Sequence, residues 1–325
     1  MRVLSGVQPS GKLHLGNYFG AMLPQVEMQA EHECFYFIAN YHALTSLSDP
    51  QAVDDYSMEV AMGYLAIGLD PERTVFFRQS DVPEVTELAW ILNCVTPVPL
   101  LQRCHAYKDK VAQGLAANAG LFTYPVLQAA DILIYRSHLV PVGQDQKQHV
   151  EITQDIQGKF NQQYGDVLVR PEPLIREEVA VVPGTDGRKM SKSYDNAIEL
   201  FLPAKQVRKK IMSIVTDSTP VEDPKDADRC NVMALLRLIA DEDERAAWEE
   251  RYRAGGTGYG EAKKRLFELF IEKLGPARDR YDELDKNRDH VEAVLAAGGE
   301  RARAVARAVM AEVRKATGIR ISRAD

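Results

Sequence analysis

The sequence predicts an α/β fold in two parts, a parallel sheet with crossover helices over residues 1–200 and an all-helical part over 201–325. Three observations carry this. Short β-branched and aromatic runs alternate with helix-spaced apolar residues as far as about Val182; a Gly- and Lys-rich stretch from Pro183 to Asn196 then breaks the pattern; beyond it strand-like runs all but disappear.

Val3 to Val7 is short, β-branched and bounded by Gln8-Pro9-Ser10-Gly11, which fits a buried strand ending in a turn, with a helix from about Gly16. Cys34 to Leu44 and Thr74 to Ser80 repeat the buried-strand pattern, and Asp54 to Leu69 between them has helical spacing. Such alternation implies parallel strands joined by right-handed crossovers. Asp145 to Phe160 reads as a helix, residues 166 to 182 are Pro-interrupted and β-branched, and the sheet is expected to end near Val182. Helical periodicity then occupies Ala204 to Val215, Val232 to Ile239, Tyr259 to Leu274 and Arg301 to Ala316, which places a domain boundary near residue 200.

Composition excludes several classes. With 45% apolar and 27% charged residues the chain reads as an ordinary globular protein. A net charge of -7 argues against a protein that wraps nucleic acid with its whole surface. The charge is uneven: residues 201–325 hold 25 basic and 23 acidic residues, leaving 15 and 24 for residues 1–200, so a polyanion would prefer the second part. Cys34, Cys94, Cys104 and Cys230 have neither CxxC nor zinc-ligand spacing, and no run of about 18 apolar residues or signal peptide is visible. The expectation is a cytoplasmic protein with reduced thiols and no zinc.

Two segments carry chemistry. Gln8 to Asn17 stands where a strand gives way to a helix, a place where free N–H groups and a positive dipole end face the crevice beyond a parallel sheet. His14 and Asn17, three residues apart, can share one face of the first turn and reach a polyphosphate, and Gly16 leaves room for a flat base. Pro183 to Ser193 combines two glycines with Lys189 and Lys192, a mobile basic loop able to close on a triphosphate.

Together, HLGN after a first strand and KMSKS at the end of the α/β part resemble the signature of the class I aminoacyl-tRNA synthetases. Within that class SGVQPSG…GNYFGA (Ser5 to Ala21), TYPVLQAADIL (Thr123 to Leu133) and VPVGQDQKQH (Val140 to His149) resemble the bacterial tryptophanyl-tRNA synthetases, nearly end to end. The resemblance implies a Rossmann-like catalytic domain, a helical anticodon-binding domain with a C-terminal helix, and a homodimer. Its substrates would be ATP with Mg²⁺, L-tryptophan and tRNA(Trp), with no iron–sulfur cluster since Cys230 is the only cysteine after residue 200.

By the same resemblance Gln8, Pro9, Ser10, Gly16 and Asn17 contact ATP, with His14 in the first motif, and Lys189, Met190, Ser191, Lys192 and Ser193 close over its phosphates. Gly143, Gln144 and Asp145 match the ribose end, and Val182 a backbone contact to adenine. Asp131 matches the acceptor of the indole N–H, Tyr124 and Gln146 the holders of the substrate ammonium, and His42 and Lys110 residues near substrate and phosphates. Two departures touch the amino-acid pocket: Gln128 stands where many members carry Met, and Leu4 where Phe is commoner. Lys205, Arg208, Lys209 and Lys210, and Lys263, Lys264 and Arg265, suit phosphate contact, with Arg301, Arg303 and Arg307 as another surface. Other readings are a tyrosyl-tRNA synthetase, a nucleotidyltransferase acting on small molecules, and a paralogue without activity.

Overall fold

The computed structural model describes residues 1–104, 118–143, 147–175 and 181–320. At its centre five parallel strands run in the order β3-β2-β1-β4-β5: β1 Arg2–Val7, β2 Glu33–Ile38, β3 Val75–Arg78, β4 Leu139–Val142 and β5 Glu172–Ile175. The chain builds outwards from β1 through β2 to β3, then crosses to β4 on the other side. Strand order therefore reverses at β1, and the loop after β1 opens onto the crevice where ligands of such sheets bind.

Both faces of the sheet are covered, as parallel sheets require. Alternate residues divide between two apolar cores, Val3, Tyr36, Ile38 and Phe76 entering one while Leu4, Phe35, Phe37 and Phe77 enter the other. Between β1 and β2 lie α1 (Leu15–Asn17), a π turn (Tyr18–Met22) and α2 (Leu23–Met28). α3 (Asn40–Ala43) and α4 (Pro50–Ala66) connect β2 to β3; α5 (Glu84–Val95), α6 (Val98–Gln102) and α7 (Ala119–Leu133) precede β4; α8 (Lys147–Tyr164) precedes β5.

The remaining described helices are α9 (Ala204–Met212), α10 (Asn231–Ile239), α11 (Glu242–Ala254), α12 (Tyr259–Lys286) and α13 (Arg288–Thr317). The first of the two cores runs without a gap from Val3 and Met62 into Val207, Leu235 and Phe270. α13 then returns to the sheet, where Ala302, Ala306, Val309 and Val313 join Phe77 and Leu88 in the second core. The helices α9 to α13 thus pack on the sheet part at both ends rather than hanging from it.

Three boundaries differ from the sequence expectation. The last described strand ends at Ile175, and Val182 instead opens the basic loop. α12 continues through Pro276 to Lys286, and α13 begins at Arg288 rather than near Arg301. Gly275-Pro276 and Gly298-Gly299 lie inside these helices, where packing overrides propensity. At Gly298 the reason is visible: a Cβ would overlap the carbonyl oxygen of Phe76 in β3, so only glycine lets α13 lie this close to the sheet.

Gly298→Ala is therefore expected to cost about 1–3 kcal/mol or more, from overpacking against backbone that cannot yield. Gly260→Ala, with nothing within 4 Å of the added methyl, is its control and should be neutral or slightly stabilising. Urea midpoints of both variants against the parent check the contrast.

Candidate active site

The loop after β1 is where the sheet presents its first ligand groups. Pro9 is buried and Ser10 exposed, while the Gln8 amide donates to Ser46 Oγ at 3.3 Å and so leans towards α3. Gly11 has φ +128, a conformation open to glycine alone, and the Lys192 side chain crosses it: a Cβ at Gly11 would stand 3.3 Å from Lys192 Nζ.

His14 caps α1. Its Nδ1 accepts the Asn17 N–H at 3.4 Å, and Asn17 Oδ1 accepts the His14 N–H at 3.1 Å, a reciprocal capping box. The structure thus pairs His14 and Asn17 with one another, beyond the expected sharing of a helix face. The His14 ring also lies beneath Gly16, where an added Cβ would stand 2.9 Å from Nδ1. Burial, then the charge of Lys192, pushes its pKa down to about 4, so the imidazole is neutral at pH 7.

The basic loop is an ordered hairpin. Pro183 and Lys189 pair across it, Gly184 N–H donates to Arg188 O at 2.7 Å, and Met190 N–H donates to Val182 O at 2.9 Å. Val182 and Met190 are buried, so they anchor the loop's base while Lys189 and Ser193 remain exposed. Asn196 is the residue that holds the turn. Its buried side chain accepts the Ser191 N–H at 2.8 Å and donates to Asp186 at 2.7 Å and to Lys189 O at 3.2 Å. Lys192 turns inward in a 3₁₀ turn (Lys192–Tyr194); burial lowers its pKa, and Glu59 and Glu199 oppose that shift.

The two motifs are joined directly. Leu15 N–H donates to Ile198 O at 3.0 Å and Leu200 N–H to Leu13 O at 2.9 Å, an antiparallel seam with His14 opposite Glu199. All four leucine and isoleucine side chains in it are buried. The chain that leaves the basic loop is thus sewn to the chain that enters α1.

At the other end of the crevice, beyond β2 and β3, lies a buried carboxylate. Asp131 on α7 is 1% exposed, and its Oδ2 lies 2.9 Å from His42 Nε2 on α3. Gln79, just after β3, donates to both carboxylate oxygens at 2.9 Å. Burial raises the Asp131 pKa, and the bonds from His42 and Gln79 oppose that rise. Tyr124 stands beside the pair, its ring centroid 6.3 Å from that of His42 and 6.0 Å from that of His149. Gln128, on the same helix, is half-buried.

The structure therefore brings Asp131, His42 and Tyr124 together at one end and Gly11, His14, Asn17 and Lys192 at the other. It adds Gln79, Asn196 and Glu59, which pattern reading missed. A polar residue closing an apolar strand was the available signal for Gln79. Gly143 is exposed at the end of β4, while Gln144, Asp145, Gln146 and Lys110 lie outside the described residues. The geometry suits a reaction that needs placement of an anion at a helix start beside a lysine, and of a polar N–H or O–H against a buried carboxylate.

Known proteins resemble this chain over nearly its whole length. The family model of the class I tRNA synthetases (W and Y) matches residues 1–275. A tryptophan–tRNA ligase of Fusobacterium nucleatum is 52% identical over 94% of each chain, and one of Rhodopirellula baltica is 50% identical over 98% of this chain and all of its own. The crystal structure of tryptophanyl-tRNA synthetase from Campylobacter jejuni, complexed with ADP and tryptophan, superposes with a TM-score of 0.94. It is 49% identical and covers 98% of this chain and 100% of that one.

The neutral His14 makes a pH prediction. Its folded pKa of about 4 lies below the ordinary 6.5, so as pH falls the unfolded chain takes up the proton first. The stability it contributes is fully present above about pH 6.5 and declines towards pH 4. Thermal unfolding across that window should show a slope that flattens in His14→Gln, and an unchanged slope would mean the ring titrates normally.

Proposed function

The chain belongs to the class I tRNA synthetases of the tryptophan and tyrosine group, and from that premise we propose that it joins L-tryptophan to tRNA(Trp). In the first step a tryptophan carboxylate oxygen attacks the α-phosphorus of ATP, and the bond to pyrophosphate breaks to leave tryptophanyl-adenylate. In the second a hydroxyl of the tRNA's terminal ribose attacks the activated carbonyl and AMP departs. The carboxylate is already a nucleophile, so catalysis consists of positioning and of stabilising charge on the phosphates.

The observation that carries the reading is the meeting of Lys192 with Gly11 at the start of α1, sealed by the seam behind it. Phosphates placed there meet the positive end of the helix dipole and an ammonium together. Neutral His14 and Asn17 contribute as hydrogen-bonding groups that fix α1's first turn, and Gln8, Pro9, Ser10 and Gly16 line the approach. Mg²⁺ would enter with ATP, neutralising charge on its phosphates. Asp131 then receives the indole N–H, with Tyr124 nearby. That the Campylobacter jejuni relative was crystallised with ADP and tryptophan supports this pair of ligands.

The helical part, residues 201–325, is proposed to contact tRNA, within a cytoplasmic homodimer. Several of the basic candidates are engaged within the fold. Lys210 is paired with Glu199, Lys263 donates to Met212 O and Ile214 O, and Arg265 is gripped by Glu244, Glu268 and Glu272. Arg303 and Arg307 hold Glu84, and Arg301 binds the backbone at Pro71. Lys205, Arg208, Lys209 and Lys264 are the exposed ones that remain.

Tryptophan-dependent ATP–pyrophosphate exchange tests the assignment, with tyrosine as the control; exchange with tyrosine alone would refute it. Because Lys192 crosses the nucleotide loop while Lys189 faces solvent, Lys192→Ala should lower kcat about 10²-fold or more with little change in tryptophan KM. Lys189→Ala should do less. For tRNA, Lys209→Glu or Lys264→Glu should reduce the salt dependence of binding by about one counterion per lost phosphate contact, and unchanged slopes in both would place the surface elsewhere.

A further inference from the structure

The buried Asp131 does not hold its own orientation. A carboxylate at the end of a side chain can rotate, and a substrate N–H finds it only where its oxygens are fixed. Two groups fix it: His42 at one oxygen, and the Gln79 amide at both.

Gln79 is itself over-determined. Its Oε1 accepts the Tyr41 N–H at 3.0 Å, which settles the direction of the amide and leaves Nε2 facing Asp131. The residue is fully buried at the start of a 3₁₀ turn (Gln79–Asp81). That turn is bracketed from inside by Asn40, which accepts the Ser80 N–H at 3.1 Å and donates to Ser80 Oγ at 2.8 Å. From outside it is pressed by α13, where Gly299 lies against the Asp81 side chain and Glu292 pairs with Arg78. Gln79 therefore sits on a rigid support reaching from the C-terminal helix to the amino-acid pocket.

We propose that Gln79 is a positioning residue for substrate selection, holding the Asp131 carboxylate so that Oδ1, which receives only one of the three donor contacts, is presented to the indole N–H. Oδ2 is shared by Gln79 and His42, whereas Oδ1 has acceptor capacity left. The inference rests on the tryptophan reading above and goes beyond it, since it predicts that selectivity for an N–H is set by a residue that does not touch the substrate. A plain structural role for Gln79, filling a polar gap, would loosen the pocket for any aromatic side chain alike.

The test uses the full-length enzyme in pyrophosphate exchange, with tryptophan as substrate and its benzothiophene analogue, in which sulfur replaces the N–H, as competitive inhibitor. Gln79→Met keeps the length but removes both donor contacts. It should raise the tryptophan KM about 10-fold or more, shift the analogue's Ki less than about 3-fold, and leave the ATP KM unchanged. Gln79→Leu, a second variant without a donor or a charge, should show the same loss of preference should Gln79→Met fail to fold. Tryptophan KM and analogue Ki rising together, or neither moving, would overturn the proposal. A parent enzyme with no preference for tryptophan over the analogue would overturn the tryptophan reading beneath it, whereas a preference that survives in both variants would overturn this inference alone.

Discussion

Two backbone hydrogen bonds, Leu15 N–H to Ile198 O and Leu200 N–H to Leu13 O, register the end of the crevice proposed to hold the nucleotide. They join segments that lie far apart in the chain, and their closure entropy is offset because the four side chains of the seam are buried. The helical part reinforces them. Arg278 on α12 donates to the carbonyls of Leu200 and Leu202, and Tyr281 donates at 2.6 Å to Glu59, whose other oxygen accepts the Leu13 N–H at 3.3 Å. Phe201 stacks on Tyr281 at 3.9 Å. Lys192 reaches Gly11 because the chain four residues past its turn is already committed to this seam.

The two ends of the proposed site then differ in electrostatic character. At the nucleotide end a lysine is held among carboxylates with a neutral imidazole beneath it, so the positive charge belongs to Lys192 and the dipole of the helix start. At the amino-acid end a carboxylate is withdrawn from water and sustained by an imidazole and an amide. A buried carboxylate without such partners would be costly, and one with them discriminates strongly between substrates that can and cannot donate to it. Separate supports serve the two ends, the seam and α12 for one, α13 and the turn after β3 for the other.

Much of this was legible in the residues, and the failures have physical causes. Alternation of apolar strands with helical spacing suffices for a parallel α/β part, and the HLGN and KMSKS segments do lie together. Strand order is invisible to periodicity, since nothing local in Val3 to Val7 marks the centre of a sheet. Gly298-Gly299 reads as a break because the contact that requires it, with Phe76, is more than two hundred residues away. Gln79 and Asn196 look like ordinary polar residues at a strand end and a loop end, and their weight comes only from partners supplied by tertiary structure. The basic clusters show the opposite case: Lys263, Arg265, Arg303 and Arg307 suit phosphate contact, and in the fold each is also engaged by a carbonyl or a carboxylate.

Amide hydrogen exchange at Leu15 and Leu200 tests the role of the seam most directly. Both amides are donors in it, and neither belongs to a strand of the central sheet. With and without ATP they should exchange as slowly as Leu4 and Ser5 of β1, opening only with the core. Exchange at the rate of the exposed loop residues Arg188 and Lys189 would contradict the account, since the two halves of the nucleotide site would then come together only transiently.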